Sequence, residues 1–135
     1  MPMITWGPQL ELGIELIDKQ HHRLCDLINE LDDAVQGGRT NEVMGGIFEE
    51  LLDYTRTHFK QEERLLTKHG YYDLDEHMKE HRIFTDQMQM YQDRFLEGST
   101  AVTQATIEYL TDWLLGHIAM SDRAYLPTLR DAGVE

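Results

Sequence analysis

Residues 41–66 read NEVMGGIFEELLDYTRTHFKQEERLL. Apolar side chains recur there at Met44, Phe48 and Leu51, the spacing of three and four that lines one face of an α-helix. The same stripe runs on through Thr55, His58 and Glu62 to Leu65. An imidazole and a carboxylate thus occupy positions that the pattern reserves for a core. Burying such groups is costly unless each finds a partner, so this one helix already predicts both a bundle and something polar at its centre.

The flanking sequence repeats the arrangement. Gly37-Gly38, Gly70-Tyr71-Tyr72 and Gly98-Ser99-Thr100 interrupt long helical patterns, and Pro127 and Gly133 mark a fraying end. Helix one is predicted over about 18–36 with Asp18 as N-cap, on a stripe of Leu24, Ile28, Leu31 and Val35. Helix two covers about 41–66, capped by Thr40 or Asn41. Helix three covers about 73–96, capped by Asp73, on Phe84, Met88, Tyr91 and Phe95. Helix four covers about 101–128, on Val102, Ile107, Leu110 and Leu114. No segment reads as a strand. Four long helices on short links predict an all-α, antiparallel up-down-up-down four-helix bundle. Residues 1–17 form an N-terminal arm whose Trp6, Leu10, Leu12 and Ile14 can pack over it. The length, 135 residues, suits one domain, 1–135.

Histidines fall on the inward stripe of every helix: His21 before Leu24, His58, the pair His77 and His81, and His117 after Leu114. His58 and Glu62 are four residues apart, as are His77 and His81, so each pair projects from one side of its helix. His117 and Asp122 are five apart, about 140° on a regular helix, so convergence there requires a local distortion. Imidazole and carboxylate donors suit iron, zinc, copper or nickel. Five histidines and two carboxylates exceed the needs of one ion and suit two, bridged by carboxylates. Ligand type alone does not separate iron from zinc.

Composition narrows the class. The net charge of −13 argues against binding a phosphate backbone or an anionic membrane. It reads as a solubilising coat, with a basic partner as the alternative. The single cysteine, Cys25, cannot close an internal disulfide and offers no thiolate metal site. No apolar run reaches the ~20 residues that span a bilayer, and no leader pattern precedes the arm. A cytoplasmic location is expected.

Several stretches together resemble the bacterial hemerythrins. These are Trp6 with Leu12-Gly13-Ile14; Ile17-Asp18-Lys19-Gln20-His21 with Leu24 and Asn29; His58-Phe59-Lys60-Gln61-Glu62-Glu63; Lys68-His69-Gly70-Tyr71; His77-Met78-Lys79-Glu80-His81 with Phe84; and Trp113-Leu114-Leu115-Gly116-His117-Ile118 with Asp122. The resemblance implies two iron ions joined by an oxo or hydroxo bridge. His77, His81 and His117 would hold one and His21 and His58 the other, with Glu62 and Asp122 bridging. The second iron would be left open to dioxygen. Leu24, Phe59, Trp113 and Leu114 would form an apolar pocket for O2. Tyr72 departs from the family, which usually has Pro there, and only the loop shape is affected. His22 and His69 are read as non-ligands, and Met78 and Met120 as packing residues.

The function so implied is reversible dioxygen binding for carriage, storage or delivery, without catalysis. A monomer is expected, with an oxygen-consuming protein as recipient. Two carboxylates among five neutral imidazoles favour holding the O–O bond over splitting it. A di-iron oxidase or peroxidase, a nitric-oxide-handling enzyme, or an oxygen or iron sensor are the alternatives.

Overall fold

The computed structural model describes residues 4–97 and 104–135. The arm opens with a 3-10 turn, Pro8–Leu10, and leads into α1 (Glu15–Gln36). There follow α2 (Asn41–Lys68), α3 (Leu74–Leu96) and α4 (Gln104–Gly116). α4 runs without a break into a wide π-helical turn, His117–Asp122, and the chain ends in α5 (Leu126–Asp131). α1 packs on α2 and α4, and α2 on α3, as an antiparallel four-helix bundle. No strand occurs among the described residues.

The links are tight because glycine closes them. Gly38 and Gly70 take φ of 64° and 65°, the left-handed conformation that ends a helix. Just beyond them, Arg39 N–H donates to Ala34 O at 3.0 Å and Tyr71 N–H to Leu66 O at 3.0 Å. These reach-back bonds satisfy carbonyls that α1 and α2 would otherwise leave open. Thr40 caps α2, its hydroxyl accepting from Val43 N–H at 3.3 Å. Asp73 sits at the N-cap of α3 without a side-chain capping bond.

Three sequence expectations need correction. α1 begins at Glu15, and Asp18 is not its N-cap. The Asp18 carboxylate instead accepts from Leu12 N–H (2.8 Å) and Gly13 N–H (3.0 Å), so it holds the arm against the helix. In α2, Leu66 is fully buried and Leu65 only partly so, because the stripe steps by four after Glu62. The fourth helix is not regular to residue 128: it widens at His117 and restarts as α5. The predicted break at Gly98-Ser99-Thr100, the helix-four start at 101 and the core position of Val102 lie outside the described residues.

The arm is fastened on two sides. Ile4 and Asn29 exchange two hydrogen bonds, 2.8 and 2.7 Å, that tie its start to α1. Arg130 donates to Leu12 O at 3.1 Å and Arg123 to Gln9 O at 3.3 Å, tying it to the C-terminal segment. Leu10, Leu12 and Ile14 are buried, and Trp6 partly so.

Candidate metal centre

Antiparallel packing brings the start of α1, the end of α2, the start of α3 and the end of α4 to one end of the bundle. His21, His58, Glu62, His77, His81, His117 and Asp122 meet there, none more than 5% exposed. They form two overlapping groups, Glu62, His77, His81, His117 and Asp122 on one side, His21, His58, Glu62 and Asp122 on the other. Within each group the donor atoms all lie within 4.8 Å of one another.

Glu62 and Asp122 belong to both groups, and each divides its oxygens between them. Glu62 Oε1 lies 2.6 Å from His77 Nε2 and 3.1 Å from His81 Nε2, while Oε2 lies 3.4 Å from His58 Nε2. Asp122 Oδ1 lies 3.0 Å from His117 Nε2 and 3.1 Å from His77 Nε2, while Oδ2 lies 3.0 Å from His21 Nε2. The π turn makes the Asp122 contacts possible. It adds a residue to one helical turn, as shown by Arg123 N–H donating to Ile118 O, and so puts positions 117 and 122 on one face.

Two of the outer ring nitrogens have hydrogen-bond acceptors, and a third lies close to a carboxylate. His58 Nδ1 donates to Gln20 Oε1 at 2.6 Å and His81 Nδ1 to Glu63 Oε2 at 2.8 Å, and His117 Nδ1 lies 3.1 Å from Glu80 Oε2. Gln20 is itself fixed by a hydrogen bond from its amide to Gln61. A proton on Nδ1 leaves Nε2 with a lone pair directed inward. His81 and His117 bring their Nε2 atoms within 3.1 Å of each other inside the cluster, close enough for one cation to draw a lone pair from each. Both nitrogens of His21 and both oxygens of Asp122 are buried without a hydrogen bond among the described residues. Their 3.0 Å separation is close but not aligned for one. This donor set, dry and crowded with lone pairs, fits a pair of cations.

The electrostatics agree. Burial would raise the Glu62 pKa, yet the close imidazoles of His58, His77 and His81 hold it well below the usual carboxylate range. Burial and Glu62 would raise that of Asp122, and His117 and His21 reverse this. Burial lowers His77, but Asp122 and Glu62 outweigh it and lift its pKa to about 10. At His58 burial wins over Glu62 and the pKa falls. Two anionic carboxylates are thus kept ionised in an interior that otherwise excludes charge.

Tyr125 is one of four residues that sequence reasoning missed. Its fully buried hydroxyl donates to Glu62 Oε2 at 3.1 Å. The signal was its place three residues after Asp122. Gln20, Glu63 and Glu80 were also missed; each is next to a donor residue in the chain.

An apolar cavity adjoins the cluster. It has room for about one water-sized molecule, about 10 Å³, and Leu24, Phe59 and Leu114 are among its walls. Its one polar neighbour, Thr55, already donates its hydroxyl to Leu51 O at 2.7 Å. Trp113 does not line it. Its ring lies flat against Phe84 (3.8 Å, 6°) and His117 (4.4 Å, 14°), and so steadies the imidazole. His22 is exposed and stacks on Trp6 at 4.9 Å, and His69 lies outside both groups. Met120 is 76% exposed on the outer side of the π turn, not packed as expected.

Residues 12–129 match the family model described as the hemerythrin HHE cation binding domain. The chain belongs to the hemerythrin family. Among its curated relatives is a bacteriohemerythrin of Pseudomonas aeruginosa (strain LESB58), 36% identical over 96% of this chain and 84% of that one. Another, from Methylococcus capsulatus (strain Bath), is 33% identical over 96% and 98%. The crystal structure of a wild-type hemerythrin superposes with a TM-score of 0.90 at 32% identity, covering 94% of this chain and 98% of that one. The family thus matches the bundle, and its cation-binding description matches the buried His/Glu/Asp cluster. No described helix of this chain is long and apolar enough to cross a membrane.

Proposed function

We propose that this hemerythrin-family chain binds dioxygen reversibly at a non-haem di-iron centre, as a carrier, store or delivery protein and not as an enzyme. One iron belongs to His77, His81 and His117, the other to His21 and His58. Glu62 and Asp122 bridge them. The observation that carries this reading is the division of the two carboxylates, one oxygen of each facing the His77–His81–His117 side and the other the His21–His58 side. Two irons so held would supply the reversible electron transfer that dioxygen binding requires.

The chain's own residues do the rest. The unequal histidine count leaves the His21–His58 side one donor short, which makes room there for a small ligand. Leu24, Phe59 and Leu114 keep the adjoining cavity apolar, excluding the water that would promote loss of a reduced oxygen species. The cavity is too small for an organic substrate and presents no free acid or base to one. Gln20 and Glu63 fix the tautomers of His58 and His81, Glu80 lies 3.1 Å from His117 Nδ1, and Tyr125 holds Glu62 in its bridging orientation.

With this reading go a single domain over 1–135, a monomer in the cytoplasm, no nucleic-acid ligand, and an oxygen-consuming protein as recipient. The test is iron analysis joined to an optical cycle. About two irons per chain are expected, with near-ultraviolet and visible bands that bleach on anaerobic reduction, return in air and bleach again on deoxygenation. One metal per chain, or oxygen consumption with turnover of a substrate, refutes the proposal.

A further inference from the structure

Basic residues are scarce, 12 against 25 acidic ones, yet they are not evenly spread. Arg56, Lys60, Arg64 and Lys68 follow one another at intervals of four, and so form a stripe along one face of α2. With Arg82 of α3 they line two adjoining open grooves that share Lys60 and Glu63. The acids in these grooves are Glu63 and Asp86, and Glu63 is engaged by His81 at 2.8 Å. Among the described residues none of the five cations has an ion-pair partner within 4 Å, although Arg56 donates a hydrogen bond to Gln89. Favourable interaction with the end of the α2 dipole accounts for Lys68 but fades within the last turn, so it does not explain Arg56 or Lys60. In a chain of net charge −13, unpaired cations held together on one face form a local field of the opposite sign.

The place of this stripe gives it meaning. One groove is floored by Phe59 and His81, whose rings lie parallel with centroids 3.7 Å apart. His81 Nε2 is in the cluster, 3.1 Å from Glu62. Here a single imidazole separates the cationic surface from the centre.

We infer that this face docks an acidic one-electron carrier protein, which returns an oxidised centre to its ferrous form. The inference rests on the di-iron reading above. Each encounter moves one electron: the reduced carrier is oxidised by one equivalent as one ferric ion becomes ferrous, and two encounters restore both. Arg56, Lys60, Arg64, Lys68 and Arg82 steer and hold the partner. Phe59 and His81 form the contact through which the electron passes.

The probe is a reduced acidic plant-type [2Fe–2S] ferredoxin, mixed anaerobically with the ferric protein in a stopped-flow instrument. Lys60→Glu is compared with Arg39→Glu, which makes the same change in net charge at the far end of the bundle. Lys60→Glu should slow reduction about tenfold at low salt, and Arg39→Glu less than about twofold. The difference should vanish at high salt, and a small neutral quinol should reduce all three proteins alike. Calorimetry with the oxidised ferredoxin should show binding weakened by Lys60→Glu alone. Equal effects of the two substitutions, or a Lys60→Glu effect that persists at high salt, overturn the docking site. Iron content and the optical cycle, measured on the same samples, report separately on the di-iron reading.

Discussion

Replacing Tyr125 by Phe removes one buried hydroxyl and little else. The ring stays in place against His77 and Tyr71, whose centroids lie 5.6 and 6.2 Å away, so no large void opens. What is lost is a 3.1 Å hydrogen bond to Glu62, whose carboxylate is held in its ionised form. Hydrogen bonds to charged groups contribute roughly 1.5–3 kcal/mol. Glu62 keeps its imidazole neighbours and is not orphaned, so the lower end applies, about 1.5 kcal/mol. For a chain of this length that lowers the melting temperature by about 5 °C. Urea titration of metal-stripped wild type and Tyr125→Phe at pH 7 measures it, with an unchanged m-value expected. Iron content should remain at about two per chain, since the tyrosine supports a bridging group and is not itself a ligand. A loss under about 0.3 kcal/mol would mean that the hydroxyl is solvated, contrary to its burial. Loss of iron would mean that Tyr125 belongs among the ligands, and would refute the division of roles set out above.

Three further outcomes are expected. Gln20→Ala removes the acceptor for His58 Nδ1 and should weaken metal affinity about 10- to 100-fold, read by chelator competition; unchanged affinity would show that the tautomer is fixed by something else. Phe59→Ala should cost about 3–5 kcal/mol in urea unfolding, because the ring is 4% exposed and stacks on His81; a cost near zero would mean that the site collapses to fill the space. In the metal-stripped protein His77 has its pKa raised to about 10, so its contribution to stability is fully present below about pH 6.5 and is lost as pH rises toward 10. The urea midpoint of wild type should therefore fall over that window more steeply than that of His77→Gln, and parallel profiles would contradict the raised pKa.

Much of the site was legible because helical spacing alone determines it. His58 with Glu62, and His77 with His81, stand four apart on inward stripes, and a regular helix must place them together. His117 and Asp122 posed the geometric difficulty, and the structure meets it with the wide turn. The supporting residues were less accessible. Gln20 reaches His58 from another helix, and Glu63 and Glu80 reach histidines across helix boundaries, so their roles depend on side-chain packing that no single-helix pattern encodes. Asp18 looked like a cap because it is a short acid at a helix start. The donors it serves belong to the arm, whose path the sequence did not specify. Trp113 was placed in the pocket for its proximity to His117 in the chain, but a flat ring has two faces, and both are taken by Phe84 and His117.

The π turn also sets two phases in one continuous stretch of helix. Up to His117 the buried positions follow Ile107, Leu110 and Leu114; beyond it they follow Ile118, Asp122, Tyr125 and Leu129. The widened turn is the clutch between these two registers. Deleting Ala119 would bring His117 and Asp122 to the regular interval of four and keep both on one face, with Tyr125 and Leu129 following Asp122 at their present spacing. The same deletion one turn earlier, at Leu115, would leave the wide turn in place and swing His117 and all that follows it by about 100° around the axis. The stretch is thus tolerant of length change at the turn itself and intolerant of it beside the turn.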